Sequence, residues 1–357
     1  YCEVYTALQH CYGQYSVQRE AAALQNDYAL MRGNASAASI GGGNSFSVIG
    51  VSGLGKSTAL QRVLSLFPQV IEHTKYHRQN FYCHQIPYLV VQTPHDASIK
   101  ALILDIYLQI DGLLSTSYQR DALARRLSID VLVSQLNLIV RSNHIGLLVI
   151  DELQNICYRN CETGTRFLNF IVQLINGTGV SVCMVGTPRV LQILQQEFRS
   201  ARRTTGLVYD RLANDKEYSL LLHGLWHYQY TRYATDLTVE TQNWLYRKTQ
   251  GIPDILVKLL YSAQKQAILD GRETLDYEIF ESAFLKNLGM VSEYMSELSQ
   301  KPLVKNTPKP AAELPVTQRK TAVITGGDLR LLLKKAKRSG TPPVIAYSDY
   351  IKGEVAL

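Results

Sequence analysis

Three observations predict an α/β fold, a parallel sheet with helices on both faces, joined to a small all-α domain. First, short β-like runs alternate with helical periodicities between residues 44 and 224. Second, Gly146 to Ile150 is continuously apolar, as suits a central parallel strand covered on both sides. Third, from Leu225 to Leu288 only helical patterns recur.

The elements follow in order. Residues 1–32 read as helical, with Tyr5, Leu8, Tyr12 and then Ala21 to Met31 marking apolar faces. A Ser/Ala/Gly loop, Asn34 to Gly43, leads to a strand at Phe46–Ile49 and a helix at Lys56–Phe67. A second strand is expected at Tyr88–Gln92, then helices over 98–112 and 120–141, split by the turn Ser115-Thr116-Ser117. The apolar strand at 146–150 precedes a helix over Arg166–Ile175, which stops at Asn176-Gly177. A strand at Val180–Val185 ends at Gly186-Thr187-Pro188, and a further short strand is expected near Tyr218–Leu222. The chain therefore divides into an N-terminal helical segment (1–43), an α/β core (44–224), a helical lid (225–300) and a tail (301–357). In the tail, Pro302, Pro308, Pro310 and Pro315 give an extended linker, and Asp328 to Arg338 forms a short basic helix.

The most specific motif is Gly50-Val51-Ser52-Gly53-Leu54-Gly55-Lys56-Ser57, followed by Thr58. It fits G-x-x-x-x-G-K-S and lies between a strand and a helix, the context that makes the pattern a phosphate loop. Main-chain N–H groups from Gly50 to Thr58, Ser52, Gly53, Leu54 and Gly55 among them, would face an anion at the helix N-terminus. Lys56 supplies charge for the β- and γ-phosphates of ATP, and the Ser57 hydroxyl a ligand for Mg²⁺.

The strand Leu147 to Ile150 ends in Asp151-Glu152. At the carboxyl edge of the sheet, Asp151 would hold Mg²⁺ through water, and Glu152 would orient and polarise the attacking water. Capping of the next helix is the plainer use of these two carboxylates. Thr187 would reach the γ-phosphate or the water if its strand lies beside that of the phosphate loop. Arg199, Arg202 and Arg203 follow; a solvated basic face is the plain use of such a cluster, but one of them, Arg203 ahead of Arg202, suits an arginine finger acting on a neighbouring subunit, with Arg211 as an alternative.

Charge is unevenly distributed. The 357 residues carry a formal +7, yet residues 1–300 hold 26 basic and 26 acidic side chains. Residues 301–357 hold 11 and 4, so the tail accounts for the whole excess and is the segment suited to acidic partners. The six cysteines show neither disulfide-framework nor strong zinc spacing, as expected of reduced thiols in the cytoplasm. No stretch of about 18 apolar residues suggests a membrane partner.

With these motifs in order, roughly residues 20–290 resemble AAA+ ATPases, and more narrowly TnsC/TniB-type transposition regulators. The resemblance rests on GVSGLGKST (50–58), YLVVQTPHDASIKAL (88–102), LLVIDELQNI (147–156) and FLNFIVQLINGTGVSVCMVGTPRVL (167–191). GLWHYQY (224–230) and GIPDILVKLL (251–260) also fit. It implies an AAA+ P-loop domain with an all-α lid, and ATP-dependent self-assembly into rings or helical filaments on double-stranded DNA. Such assemblies pass a site chosen by a target-selection protein or an RNA-guided complex to transposase subunits, here in a bacterial cytoplasm, associated with the nucleoid when on DNA. By position, the DNA contacts carry over to Lys100, Thr116, Ser117, Tyr118 and nearby Arg120. Their side chains suit phosphate rather than base contacts, although a solvated helix face for Lys100 and helix packing for Tyr118 are the plain alternatives.

One departure concerns the lid. Where many AAA+ proteins carry an arginine after Gly-x-Pro, this chain has Asp254 after Gly251-Ile252-Pro253, with Lys248 and Lys258 the nearest cations. Two other classes fit the same motifs: a non-hydrolysing nucleotide-switch scaffold, and another DNA-linked ATPase such as an origin or helicase loader.

Overall fold

Five strands form one parallel sheet in the order β4-β5-β6-β1-β7. They are β1 (Ser45–Gly50), β4 (Tyr88–Gln92), β5 (Leu147–Asp151), β6 (Ser181–Gly186) and β7 (Thr204–Tyr209). A separate antiparallel hairpin pairs β2 (Ile71–Tyr76) with β3 (Gln79–Gln85). The computed structural model describes residues 1–13, 43, 45–76, 79–158, 161–191, 194 and 204–289, all within the unit Tyr1–Asn306.

Side-chain alternation along the sheet builds two apolar layers. Leu148 and Ile150 of β5, with Leu89 and Val91 of β4 and Val182 and Met184 of β6, face one side. There they meet α3 (Ile99–Leu114), α5 (Ile129–Ser142) and α6 (Cys161–Thr178) through residues such as Ile106, Leu136 and Phe167. Leu147, Val149, Phe46, Val48, Cys183 and Val185 face the other side, against Val4, Ala7 and Leu8 of α1 (Cys2–Gly13) and Leu64 of α2 (Lys56–Leu64). The sheet is thus covered on both faces, which explains the unbroken apolar run at 147–150. Burial of each Val, Leu, Ile, Phe or Met among these contributes about 1.5–3 kcal/mol.

A third cluster is built mainly from helices. It joins α7 (Lys216–Trp226), α8 (Val239–Thr249), α9 (Pro253–Leu269) and α10 (Tyr277–Leu288) around Tyr218, Leu222, Trp244, Leu256, Leu259 and Phe280.

The expected strand at Tyr218–Leu222 is therefore corrected to helix. Tyr218, Leu222 and Trp226 recur every fourth residue on the buried face, and Asp215 caps the helix by accepting from the N–H groups of Glu217 and Tyr218. A short apolar run cannot by itself separate a strand from a buried helix. The last sheet strand is instead Thr204–Tyr209, where two threonines, Leu207, Val208 and Tyr209 carry β preference that Gly206 interrupts. The expected helix over 120–141 divides into α4 (Tyr118–Ala124) and α5, because Arg126 takes a left-handed φ of 49° between them. The hairpin β2–β3 was not foreseen; its mostly polar residues give no apolar alternation to read. The linker, the basic helix expected at 328–338 and residues 14–42 lie outside the described residues.

A tight crossing joins the sheet to the helical cluster. Gly251 has φ 73°, and a Cβ there would lie 2.0 Å from the Leu212 carbonyl oxygen. The same segment pairs through Leu212 N–H to Gly251 O at 3.1 Å. Gly251→Ala must therefore both populate a left-handed conformation and displace the Leu212 main chain. A loss of about 2 kcal/mol or more is expected, read as a lowered urea midpoint; unchanged stability would mean this crossing is not formed.

Candidate active site

The parallel register sets which residues share an edge. Gly50 stands opposite Tyr209 across the β1–β7 pair, Ile49 opposite Gly186 across β1–β6, and Gln92 opposite Asp151 across β4–β5. The chain ends that follow, the Gly50–Lys56 loop, Asp151-Glu152, Thr187 and Thr93, therefore all emerge at the carboxyl edge of the sheet. Thr187 does follow the strand beside that of the loop, which was the condition for its proposed place.

The loop has the geometry its glycines allow. Gly53 and Gly55 sit at φ 83° and 79°, and Gly55 is the residue before the first turn of α2. Gly50 passes so close to β7 that a Cβ would lie 2.4 Å from the Tyr209 carbonyl oxygen. The Lys56 ammonium donates to the carbonyls of Gly50 at 2.8 Å and Val51 at 2.9 Å, arching back over the loop. Burial lowers its pKa, while the Asp151 and Glu152 carboxylates favour the charged form. Ser52, Gly55 and Thr58 are exposed, and Leu54 packs against the helical cluster.

Ser57 and Asp151, 94 positions apart, meet directly: the Ser57 hydroxyl donates to Asp151 Oδ2 at 2.6 Å. Asp151 is fixed from behind, its main-chain oxygen accepting from Thr93 N–H at 2.8 Å and Thr93 Oγ at 2.9 Å. Asn155 Nδ2 in turn donates to the Thr93 carbonyl at 2.8 Å. Glu152 is exposed and has φ 56°, a conformation that costs a non-glycine residue about 1–3 kcal/mol. Its N–H donates to Asp151 Oδ1 at 2.7 Å, and its carbonyl accepts from Asn155 N–H at 3.0 Å. Gln154 Nε2 donates to Glu152 Oε2, and Gln154 Oε1 accepts from Thr187 N–H at 3.2 Å. The Thr187 hydroxyl is buried and has no hydrogen-bond partner among the described residues.

Thr93, Gln154 and Asn155 belong to this site and were not singled out from the sequence. Two amides one residue beyond Asp151-Glu152, after Leu153, were the only available signal, and nothing in their spacing says which way they face.

The helical cluster reaches the loop through main chain. Asp254 N–H, at the start of α9, donates to the Gly53 carbonyl at 3.1 Å. A Cβ on Gly53 would meet Asp254 Cβ at 3.0 Å and Ile252 Cγ2 at 3.1 Å. The two cations near this motif are engaged elsewhere. Lys258 pairs with Asp254 at 2.6 Å, and Lys248 pairs with Glu281 at 3.0 Å over the Trp244 and Phe284 rings. Arg211 is buried and donates to Gln250 Oε1 at 2.7 Å. Arg199, Arg202 and Arg203 lie outside the described residues.

The candidate DNA contacts are not gathered in one place. Lys100 is exposed in the first turn of α3, whereas Thr116, Ser117, Tyr118 and Arg120 follow its other end, about 24 Å along a 16-residue helix. The Thr116 hydroxyl donates to Asp111 at 2.6 Å and that of Ser117 to Asp121 at 3.1 Å. The Tyr118 ring lies 6.2 Å from that of buried Tyr107, and its N–H is held by Asp111 at 2.8 Å. Arg120 is exposed.

Residues 40–194 match a family model described as AAA domain. No curated protein matches the chain. Among solved structures, it is similar to the Aeropyrum pernix ORC1 protein in complex with DNA (15% identity, TM-score 0.47), covering 75% of this chain and 64% of that one. It is also similar to a Walker-type ATPase of Pyrococcus abyssi (14%, TM-score 0.45, 71% and 70%) and to Thermotoga maritima RuvB (14%, TM-score 0.38, 75% and 66%). The chain spans less than two thirds of the first of these proteins. No helix among the described residues is long and apolar enough to cross a membrane. The segment 40–194 is thus similar to AAA domains, and by its motifs and strand order the chain carries the AAA+ P-loop fold with a helical part beyond it.

Proposed function

We propose that this protein is an ATPase that assembles on double-stranded DNA and links the choice of a transposition site to recruitment of transposase. The observation that carries the hydrolytic part is the convergence of Lys56, the Ser57–Asp151 pair, Glu152 and Thr187 on one sheet edge. The residues fit Mg-ATP. The loop offers main-chain N–H groups and a lysine, and a serine hydroxyl lies in contact with a carboxylate, the hard oxygen donors that Mg²⁺ takes alongside phosphate and water. Bound there, Mg²⁺ would supply charge neutralisation on the phosphate oxygens.

The remaining work falls to the chain. Lys56 exchanges the Gly50 and Val51 carbonyls for phosphate oxygens. Glu152 orients and polarises the attacking water, and the unpartnered Thr187 hydroxyl offers a donor to the terminal phosphate or that water. Arg203 or Arg202 from a neighbouring copy would stabilise charge in the transition state.

The DNA and transposition parts of the proposal rest on the resemblance of the six quoted segments to TnsC/TniB-type regulators. Lys100 is the contact most compatible with its surroundings, being exposed in a helix's first turn. Thr116 and Ser117 already donate to carboxylates, and Tyr118 packs on Tyr107. The basic tail, 301–357, would engage the transposase or the target selector.

Phosphate release and electron microscopy with duplex DNA under ATP, a slow analogue and ADP test this reading. Lys56→Ala should weaken nucleotide binding at least tenfold and prevent assembly. Glu152→Gln should keep nucleotide binding, cut turnover by about 10²-fold or more and prolong the assemblies on DNA. Particles that remain monomeric under every nucleotide would refute assembly.

Lys100→Ala should weaken duplex binding equally for all sequences. The slope of log affinity against log salt should fall by about one. An unchanged slope would remove Lys100 from the phosphate contacts.

A further inference from the structure

One amide is shared by the two groups that border the reaction space. Gln154 Nε2 donates to Glu152 Oε2, and its Oε1 accepts from the Thr187 N–H at 3.2 Å. Only one orientation of the amide satisfies both. Turned over, it would set NH₂ against N–H and oxygen against carboxylate. The approach of β6 to this amide depends on Gly186, where a Cβ would lie 3.2 Å from Leu153 Cβ and 3.4 Å from Gln154 Oε1. Glu152 cannot settle its carboxylate through an ordinary backbone, since its φ is 56° and its N–H and carbonyl are held by Asp151 and Asn155. The side chain is exposed, so only a directed bond stops it from sampling solvent-facing rotamers.

We propose that Gln154 is a positioning residue that fixes the Glu152 carboxylate and couples it to the end of β6 at Thr187. The inference rests on the hydrolytic reading above and assigns to this site a residue which that reading does not use. The Thr187 N–H sets the amide's orientation, and the amide sets the carboxylate's. Its neighbouring hydroxyl, buried without a partner among the described residues, is the group a terminal phosphate would engage. Occupancy of the phosphate position is thereby transmitted to the water-orienting group through two hydrogen bonds.

The test compares wild type, Glu152→Gln, Gln154→Ala, Gln154→Glu and the double variant Glu152→Gln/Gln154→Ala. The measurements are steady-state phosphate release, binding of a fluorescent ATP analogue and thermal unfolding. Gln154→Ala should lower kcat about tenfold or more, with KM and analogue affinity within about twofold of wild type and Tm nearly unchanged. Gln154→Glu, which can accept from Thr187 but cannot donate to Glu152, should be at least as slow. The double variant should be no slower than Glu152→Gln alone, because Gln154 acts through that carboxylate. Wild-type kcat in Gln154→Ala overturns the inference while leaving the hydrolytic reading intact, as does a multiplicative loss in the double variant. A wild type no faster than Glu152→Gln refutes the hydrolytic reading, and the role given to Gln154 with it.

Discussion

Everything at the candidate site depends on the placement of β1 between β6 and β7 in one parallel register. That register sets Ile49 beside Gly186 and Gly50 beside Tyr209, so the phosphate loop, Thr187 and the chain leading to Leu212 leave the sheet together. The β5–β6 pair then brings Asp151 and Glu152 to the same edge. A slip by one residue would turn Phe46 and Val48 toward the opposite layer, exchanging them with Ile49. Since both layers are close-packed, such a slip would cost many side chains at once. The site inherits its accuracy from apolar packing several residues away.

The same loop also belongs to the helical part. Asp254 N–H binds the Gly53 carbonyl, Leu54 packs into the helical cluster, and Gly53 is open on the side where Ile252 and Asp254 approach. Absence of an arginine after Pro253 therefore does not leave the helices detached from the loop. The connection is made by main chain and van der Waals contact, and the residue at the position in question is an acid held by Lys258. Such a contact senses the shape of the loop rather than the charge of a phosphate. Movement of α9 and of the Gly53 peptide should be correlated for that reason.

The places in the fold of motifs with a strong local signature were legible in the sequence. The glycines and lysine of 50–57, the carboxylates after an apolar run and the Thr187-Pro188 strand end each announce their place, and the sheet edge gathers them as expected. Elements whose identity depends on partners were not. Tyr218 to Leu222 is apolar enough for a strand, and only Asp215 and the wall formed by α9 and α10 make it helix. Thr204 to Tyr209 is half polar and contains a glycine, yet it is held as a strand by β1. Gln154, Asn155 and Thr93 were invisible because hydrogen-bond direction across three strand ends is not encoded in spacing. The Ser and Thr of 116–117 are a similar case: their residue types suit phosphate, but Asp111 and Asp121 already hold their hydroxyls.

Electrostatics give the last step. Among the described residues around the loop, the Lys56 ammonium lies under the influence of two carboxylates, Asp151 and Glu152. A triphosphate would add several negative charges beside those two. Mg²⁺ would offset part of this, yet Lys248 and Lys258 are already matched by Glu281 and Asp254, and Arg211 is turned to Gln250. Bringing any of them to the phosphates would break a pair that the folded protein has formed. A guanidinium supplied by a neighbouring copy would leave these three pairs intact, its own desolvation being offset by the phosphate charge it meets. This supports the reading in which the site is completed only between subunits. In that reading hydrolysis would be tied to assembly by charge balance, even though the groups proposed to orient water lie within one chain.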